Sequence, residues 1–445
     1  MVQEPESELV RAFARELDAE LAGLPEGLDA LRASERLRTR TGSAALARWG
    51  TSLYLLRPKA ARKFPLDPPR WLTAKGLEQA TPEAVARRRA ALVRELEPNA
   101  SILDATCGIG ADSLALARSG ALVVSADRDP VHAACARANL RDRGLPERVI
   151  VADALRPAAR TDLLLVDPDR REDDGRRSRD PARHSPGLGE AFALAARARG
   201  ACLKLGPGMH ESELAPLAEA LRPRLRLEWV SVAGELRELC AWTGSLSHGR
   251  AARSAAVLGR DEVWRELEDD GEEAEAPPLE RAEALGARWL LEPDAALVRS
   301  GLVGTLARRC GARPVGPRIA YLGLTAEALG PEARAATAFG RAWRVLDSCE
   351  ADPKRVRAML RAHDVGEVTV KKRGHPDSAE TLARRFRGKG RLRGWLAIAR
   401  LASGHAAWLL EPPESSASAE GAGPARRSER EGVGDEGFEP PTSSL

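Results

Sequence analysis

Ser101-Ile102-Leu103-Asp104-Ala105-Thr106-Cys107-Gly108-Ile109-Gly110-Ala111-Asp112 is the stretch whose reading decides the fold. Ser101 to Leu103 read as the end of a buried strand, Asp104 to Gly110 as a tight glycine-bearing turn, and Ala111 to Ser119 as a helix. A strand that turns on glycines into a helix presents free backbone N–H groups at the helix N-terminus, where a nucleotide-like ligand can sit.

Downstream, apolar runs and amphipathic segments alternate. Strands are expected at 122–126, 149–151, 162–166 and 202–205, with helices from Pro130 to about Arg143, at 186–199 and at 210–221. Two closing strands, 225–232 and 238–242, read as a hairpin around Gly234. This alternation predicts a parallel sheet with helices on both faces. Upstream, residues 1–95 read as helical, with Thr81 as N-cap and Pro82 at the first helical position of one helix. In that region Lys59, Arg62 and Lys63 could face one side of a helical turn as substrate contacts. Residues 246–285 read as an acidic linker or loop, because 261–280 hold ten acids against one Arg. A second α/β region covers 286–411, with a helix from Asp294 to Leu306. Residues 412–445 lack periodicity and read as a disordered tail.

The 445 residues suffice for two or three domains. No run of about 18 apolar residues occurs, and Met1 to Glu8 has no signal-peptide pattern, so a cytoplasmic chain without membrane contact is expected. The six cysteines are scattered without a C-x-x-C pair and the seven histidines are dispersed, which speaks for reduced thiols and against a metal site. The net charge of +4 hides a polarity: residues 351–400 carry 14 Lys and Arg against five acids, so the remainder is net negative. Such a basic segment suggests a polyanionic partner.

Four acids follow apolar strands in order. Asp104 ends the first, Asp127 the second, Asp153 follows the third and Asp167 the fourth. Ligands of open α/β sheets bind at these carboxyl ends. A dinucleotide site calls for G-x-G-x-x-G, and Gly108-Ile109-Gly110-Ala111-Asp112-Ser113 lacks the third glycine. An acid at the strand end suits instead a ligand with a sulfonium and an ammonium. Asp104 can meet the ammonium, directly or through water, Asp127 the ribose hydroxyls and Asp153 the adenine amino group.

With these residues in order, 80–245 resembles the class I S-adenosylmethionine-dependent methyltransferases. The resemblance implies a seven-stranded Rossmann-like α/β sheet and S-adenosylmethionine as cofactor. It carries cofactor binding onto Asp104, Thr106, Cys107, Gly108, Gly110, Asp127, Arg128, Asp153 and Ala154. Enzymes of this class that methylate exocyclic amines of bases carry Asp/Asn/Ser-Pro-Pro-aromatic at the fourth strand end. Asp167 and Pro168 match and are the catalytic candidates, while Asp169 and Arg170 depart from the pattern. The wider chain, through Arg62-Lys63-Phe64-Pro65, Glu78-Gln79-Ala80-Thr81-Pro82 and Val368 to Gly374, is similar to bacterial methyltransferases with a THUMP-like C-terminal α+β domain. That layout implies RNA, tRNA or rRNA, as the target. Lys371, Lys372, Arg373, Arg384, Arg385, Arg387 and Lys389 are the candidate phosphate contacts. The alternatives are a methyltransferase for a small molecule or a protein, and an RNA-binding module without catalysis.

Overall fold

Helix capping and apolar periodicity set the N-terminal elements. Helix α1 (Ala30–Thr41) starts where Asp29 accepts from the Arg32 N–H and ends at Gly42 in left-handed conformation. Helices α2 (Ala44–Lys63) and α3 (Ala74–Gln79) are capped by the Ser43 and Thr73 hydroxyls. Helix α4 (Glu83–Leu96) departs from expectation, since Pro82 occupies the N-cap without a side-chain bond. The Thr81 hydroxyl instead donates to Asp112 at 2.6 Å, a buried carboxylate being the stronger acceptor. The computed structural model describes residues 17, 19–156, 159–167, 186–209, 213–214, 225–272, 276–326 and 328–411. The expected 412–445 tail and most of the expected 210–221 helix lie outside the described residues.

The first sheet is built from β1 (Ser101–Asp104), β2 (Leu122–Asp127), β3 (Val149–Val151), β4 (Leu163–Val166) and β5 (Gly200–Leu205). All their pairings are parallel. Between them lie α5 (Ala111–Arg118), α6 (Pro130–Arg141) and α7 (Leu188–Ala195). Strands β6 (Leu225–Val232) and β7 (Glu235–Gly244) form the expected hairpin, turning on Ala233 and Gly234 with positive φ. The order is β3-β2-β1-β4-β5-β7-β6, and β8 (Arg253–Leu258) and β9 (Trp264–Glu268) extend it to nine strands. The expected count of seven is therefore exceeded, and 246–285 is not simply a linker. Ser254 to Leu258 is a fully buried run, and the acids of β9 are partly neutralised. Glu266 pairs with Arg226 and, at 3.1 Å, with Arg88, while Arg88 also grips the buried Glu228 at 2.8 Å.

A second sheet follows. It comprises β10 (Trp289–Pro293), β11 (Arg313–Pro314), β12 (Leu322–Leu324), β13 (Gly340–Glu350), β14 (Val365–Arg373), β15 (Leu392–Arg400) and β16 (His405–Leu410), in the order β11-β12-β10-β13-β16-β15-β14. The helix expected from Asp294 to Leu306 is two, α8 (Ala295–Ser300) and α9 (Val303–Cys310), broken where Gly301 takes a φ of +77°. Helices α10 (Pro353–Ala362) and α11 (Ala379–Phe386) cover one face of this sheet through Val356, Leu360, Leu382 and Phe386.

Three cores position the turn of the opening stretch. Val85, Leu92, Ile102 and Leu165 join α4 to one sheet face. Leu203, Trp229, Leu297 and Leu306 join the other face to α8 and α9. Leu53, Trp71, Leu77, Ile109 and Cys135 clamp the turn itself between the N-terminal helices and α6. Among the described residues no helix is long and apolar enough to cross a membrane.

Candidate functional site

The turn after β1 is fixed by three backbone hydrogen bonds of 2.8 Å: Cys107 N–H to Ala126 O, Gly110 N–H to Cys107 O, and Leu114 N–H to Gly110 O. Its glycines serve different ends. Gly110, at φ +89°, lets the turn approach α6, since a Cβ there would meet the Ala136 Cα at 3.1 Å. Gly108, at φ +54°, faces open space, and that space is a cleft of about 790 Å³.

Asp127 closes one side of the cleft. Its Oδ2 accepts from the Gly108 N–H and its Oδ1 from the Asp129 N–H, both at 2.8 Å. His132, held by the Thr73 hydroxyl at 3.0 Å, lies 3.9 Å from the same carboxylate. Asp153 accepts from the Leu155 N–H at 2.9 Å. Thr106, Cys107, Gly108, Asp127, Arg128, Asp153, Ala154 and Asp167 all line this cleft, so most of the expected site residues converge. Pro168, with the Asp169 and Arg170 departures, lies outside the described residues.

Asp104 and Gly110 are not in the lining. Asp104 is only 2 % exposed and sits beneath the cleft, where the Ser113 hydroxyl donates to it at 2.5 Å. Burial, and then the neighbouring Asp112, push its carboxyl up to about 7, against Ser113, Lys204 and Arg89.

Beyond Asp167 lies a wall that the sequence reading missed. The Asp167 N–H donates to the Thr106 hydroxyl at 2.6 Å, and its carboxylate meets the Lys204 ammonium at 2.5 Å. Lys204 also reaches Asp112 at 3.2 Å. Arg89, fully buried on α4, bridges Asp112 and Glu238. Burial raises the Asp112 carboxyl, but Arg89, Lys204 and Thr81 outweigh it and hold the group at about 2. Burial likewise disfavours the Lys204 ammonium, yet Asp112 and Asp167 raise it above the ordinary lysine range. The available signal was Lys204 itself, a lysine inside the apolar strand Cys202 to Leu205, because an unpaired charge is seldom buried. The N-terminal helices complete the wall with Lys63, Glu78, Gln79 and Thr81.

The basic residues of the second sheet separate into two sets. Strand alternation turns Val368 and Val370 into the helix-covered core, and Lys371 and Arg373 to the other face. There both pair with Glu292, at 2.8 and 3.7 Å; Lys371 lies over the Trp343 and Trp395 rings and Arg373 over Tyr321. Lys372 donates to the His375 carbonyl at 2.9 Å. Arg384, Arg385, Arg387 and Lys389 are exposed along and after α11, with Arg385 paired to Asp377 at 2.7 Å. Among the described residues no group of three or more His, Cys, Asp or Glu is placed to hold a metal ion.

Comparison with known proteins agrees with this architecture. A family profile described as THUMP domain-like matches residues 340–412. An uncharacterized S-adenosylmethionine-dependent methyltransferase of Mycobacterium tuberculosis (strain CDC 1551 / Oshkosh) is 33% identical over 374 residues, 83% of this chain and 96% of the relative. Its counterpart in strain H37Rv matches equally. The crystal structure of a proposed methyltransferase from Porphyromonas gingivalis W83 has the same fold, with a TM-score of 0.62 at 17% identity, covering 92% of this chain and 98% of that one. At this identity and coverage of the mycobacterial relatives, the chain belongs to the S-adenosylmethionine-dependent methyltransferases, and S-adenosylmethionine is its cofactor.

Proposed function

We propose that this enzyme transfers the methyl group to a base nitrogen, exocyclic or in the ring, of tRNA or rRNA. The observation that carries the reading is Asp167, which stands at the end of β4 in the same cleft as Asp127 and Asp153. The residues present suit the cofactor. Both oxygens of Asp127 are already oriented by backbone N–H groups, which leaves their remaining lone pairs for two ribose hydroxyls. Asp153 has capacity for an adenine amino group, and the open space over Gly108 admits a ligand against the backbone. When bound, S-adenosylmethionine supplies an electrophilic methyl on a sulfonium.

The chain's own residues then handle the acceptor. A base nitrogen is a poor nucleophile while its lone pair is delocalised into the ring. Asp167, anchored through its N–H on Thr106, accepts an N–H of the acceptor and directs the nitrogen lone pair toward the methyl. Lys204 holds that carboxylate in place and is itself fixed by Asp112, so Lys204 is a positioning residue. The amine proton leaves after transfer, so no strong base is required. The THUMP-like resemblance and the exposed basic residues around α11 support RNA as the substrate.

Nucleoside mass spectrometry of tRNA and rRNA from a deletion strain tests the reading. One methylated nucleoside should vanish, return with the wild-type gene, and stay absent with Asp167→Ala. If every methylated nucleoside persists, RNA is not the substrate; loss of bulk tRNA binding at all salt concentrations would point to a small molecule or protein instead.

A further inference from the structure

Two sequence features, Arg62-Lys63-Phe64-Pro65 and Glu78-Gln79-Ala80-Thr81-Pro82, have so far been given one role only, the bond from Thr81 to Asp112. The fold brings them together on one wall of the cleft. Lys63, the last residue of α2, donates from Nζ to the carbonyls of Leu77 (2.7 Å) and Glu78 (3.0 Å). These bonds aim a cation into the cleft and leave its third N–H unassigned. Lys63 makes no salt bridge among the described residues, whereas Lys204 and Arg89 are each shared between two carboxylates.

The position of Lys63 indicates which ligand it serves. The cofactor side of the cleft lies at the ends of β1 to β3, where Asp127 and Asp153 stand. Lys204 and Arg237 come from β5 and β7, on the far side of Asp167. Burial depresses the Lys63 ammonium most, and the charges of Lys204, of Lys59 on its own helix and of Arg237 lower it further, to about 8 despite the opposing Glu78. A cation crowded by other cations, with only carbonyls as partners, is stabilised by an incoming anion.

We propose that Lys63 is an anion subsite on the acceptor side of the cleft, and that it takes a phosphate oxygen of the nucleotide being methylated. Arg237, exposed and paired among the described residues with the exposed Glu235 at 2.8 Å, lies on the same wall and is available as a second contact. The inference rests on the RNA reading above. It explains why the helices before the sheet close over the cleft: they supply a charge that the sheet itself has committed to Asp112, Glu238 and Asp167.

The test uses the full wild-type chain and pyridoxal 5′-phosphate at pH 8, followed by borohydride and peptide mass spectrometry. The probe is an anionic aldehyde that labels neutral amines. Lys63 should be labelled in preference to Lys59 and Lys75, and about tenfold more by the phosphorylated aldehyde than by pyridoxal. Inorganic phosphate should protect Lys63. Adenosylhomocysteine should bind Lys63→Met as it binds the wild type. Equal labelling by both aldehydes, with no protection by phosphate, would overturn the subsite. Weakening of adenosylhomocysteine binding by about tenfold in Lys63→Met would also overturn it, by assigning Lys63 to the cofactor carboxylate. Neither outcome depends on the nucleoside analysis, so the subsite and the RNA reading can fail separately.

Discussion

Replacing Lys204 by Met removes the ammonium that lies 2.5 Å from Asp167 and 3.2 Å from Asp112 while keeping the bulk of the side chain. At an effective dielectric near 20, a pair at about 3 Å gains roughly 5 kcal/mol. Desolvating the ammonium offsets part of that gain. Removing one partner of a buried pair generally costs about 3–5 kcal/mol, because the other charge is left uncompensated. Asp112 keeps Arg89 and Thr81, so about 3 kcal/mol is expected here, read as a lower urea midpoint with unchanged slope. The loss should be present throughout the neutral range. A raised lysine pKa contributes stability below the unfolded value of about 10.4, and that contribution disappears only as pH climbs through the still higher folded value. With Asp167 no longer held, methyl transfer into RNA from a deletion strain should fall about 100-fold. Binding of adenosylhomocysteine should hold within about threefold, since no cofactor-side group is touched. A cycle with Asp112→Asn should return a coupling of about 1–3 kcal/mol. If Lys204→Met lost under about 0.5 kcal/mol and kept its rate, the ion pairs would be incidental and the positioning role wrong.

Three further changes probe other parts of the site. Asp127→Ala deletes the acceptor of two backbone N–H groups and of the proposed ribose contacts; adenosylhomocysteine affinity should drop by about 100-fold or more in calorimetry, and a change under about threefold would remove Asp127 from the cofactor site. Asp104→Asn tests the buried carboxyl: its folded pKa of about 7 exceeds the unfolded value of 3.8, so the native state binds the extra proton and stability falls as pH rises between those values. Urea unfolding from pH 5 to 7 should slope downward by about 1 kcal/mol per pH unit in the wild type and be flat in the variant; parallel slopes would refute the assignment. In the second sheet, changing Arg384, Arg387 and Lys389 to Met should reduce the salt slope of tRNA binding by about 2, whereas changing Lys371 and Arg373, already paired with Glu292, should reduce it less; the reverse ranking would move the RNA to the aromatic face.

The central sheet was legible because its strands are short apolar runs, each followed by an acid or a turn, and such runs have few alternatives. Strands β8 and β9 were not. The acids of β9 mark a loop when counted along the chain, but Glu266 is matched by Arg226 and Arg88, which lie 40 and 178 residues away. Local composition has no access to a partner at that distance. The same limit hid Lys204, whose partners come from α5 and the end of β4. Thr81 shows the converse case. Its position before Pro82 and Glu83 satisfies every local rule for an N-cap, and a buried carboxylate 31 residues on takes its hydroxyl instead.

The four strand-end acids were legible as a set but not in their separate roles, and charge balance explains why the roles divide. Beneath and beyond the turn, Arg89 and Lys204 face Asp112, Glu238 and Asp167, so two cations already serve three carboxylates. A fourth ionised acid at Asp104 would add charge in the most buried position without a cation of its own. The network resolves this by separating its two buried aspartates, Asp104 and Asp112. Asp112, in contact with both cations, stays ionised down to about 2, and Asp104, burdened by burial and by Asp112 itself, is pushed up to about 7. The hydrogen bond from Ser113 limits that rise but does not cancel it. Asp104 therefore braces the turn from below, with its proton bound across much of the acidic range. Asp127, Asp153 and Asp167 are left to open onto the cleft, and Lys63, on its wall, makes no salt bridge among the described residues.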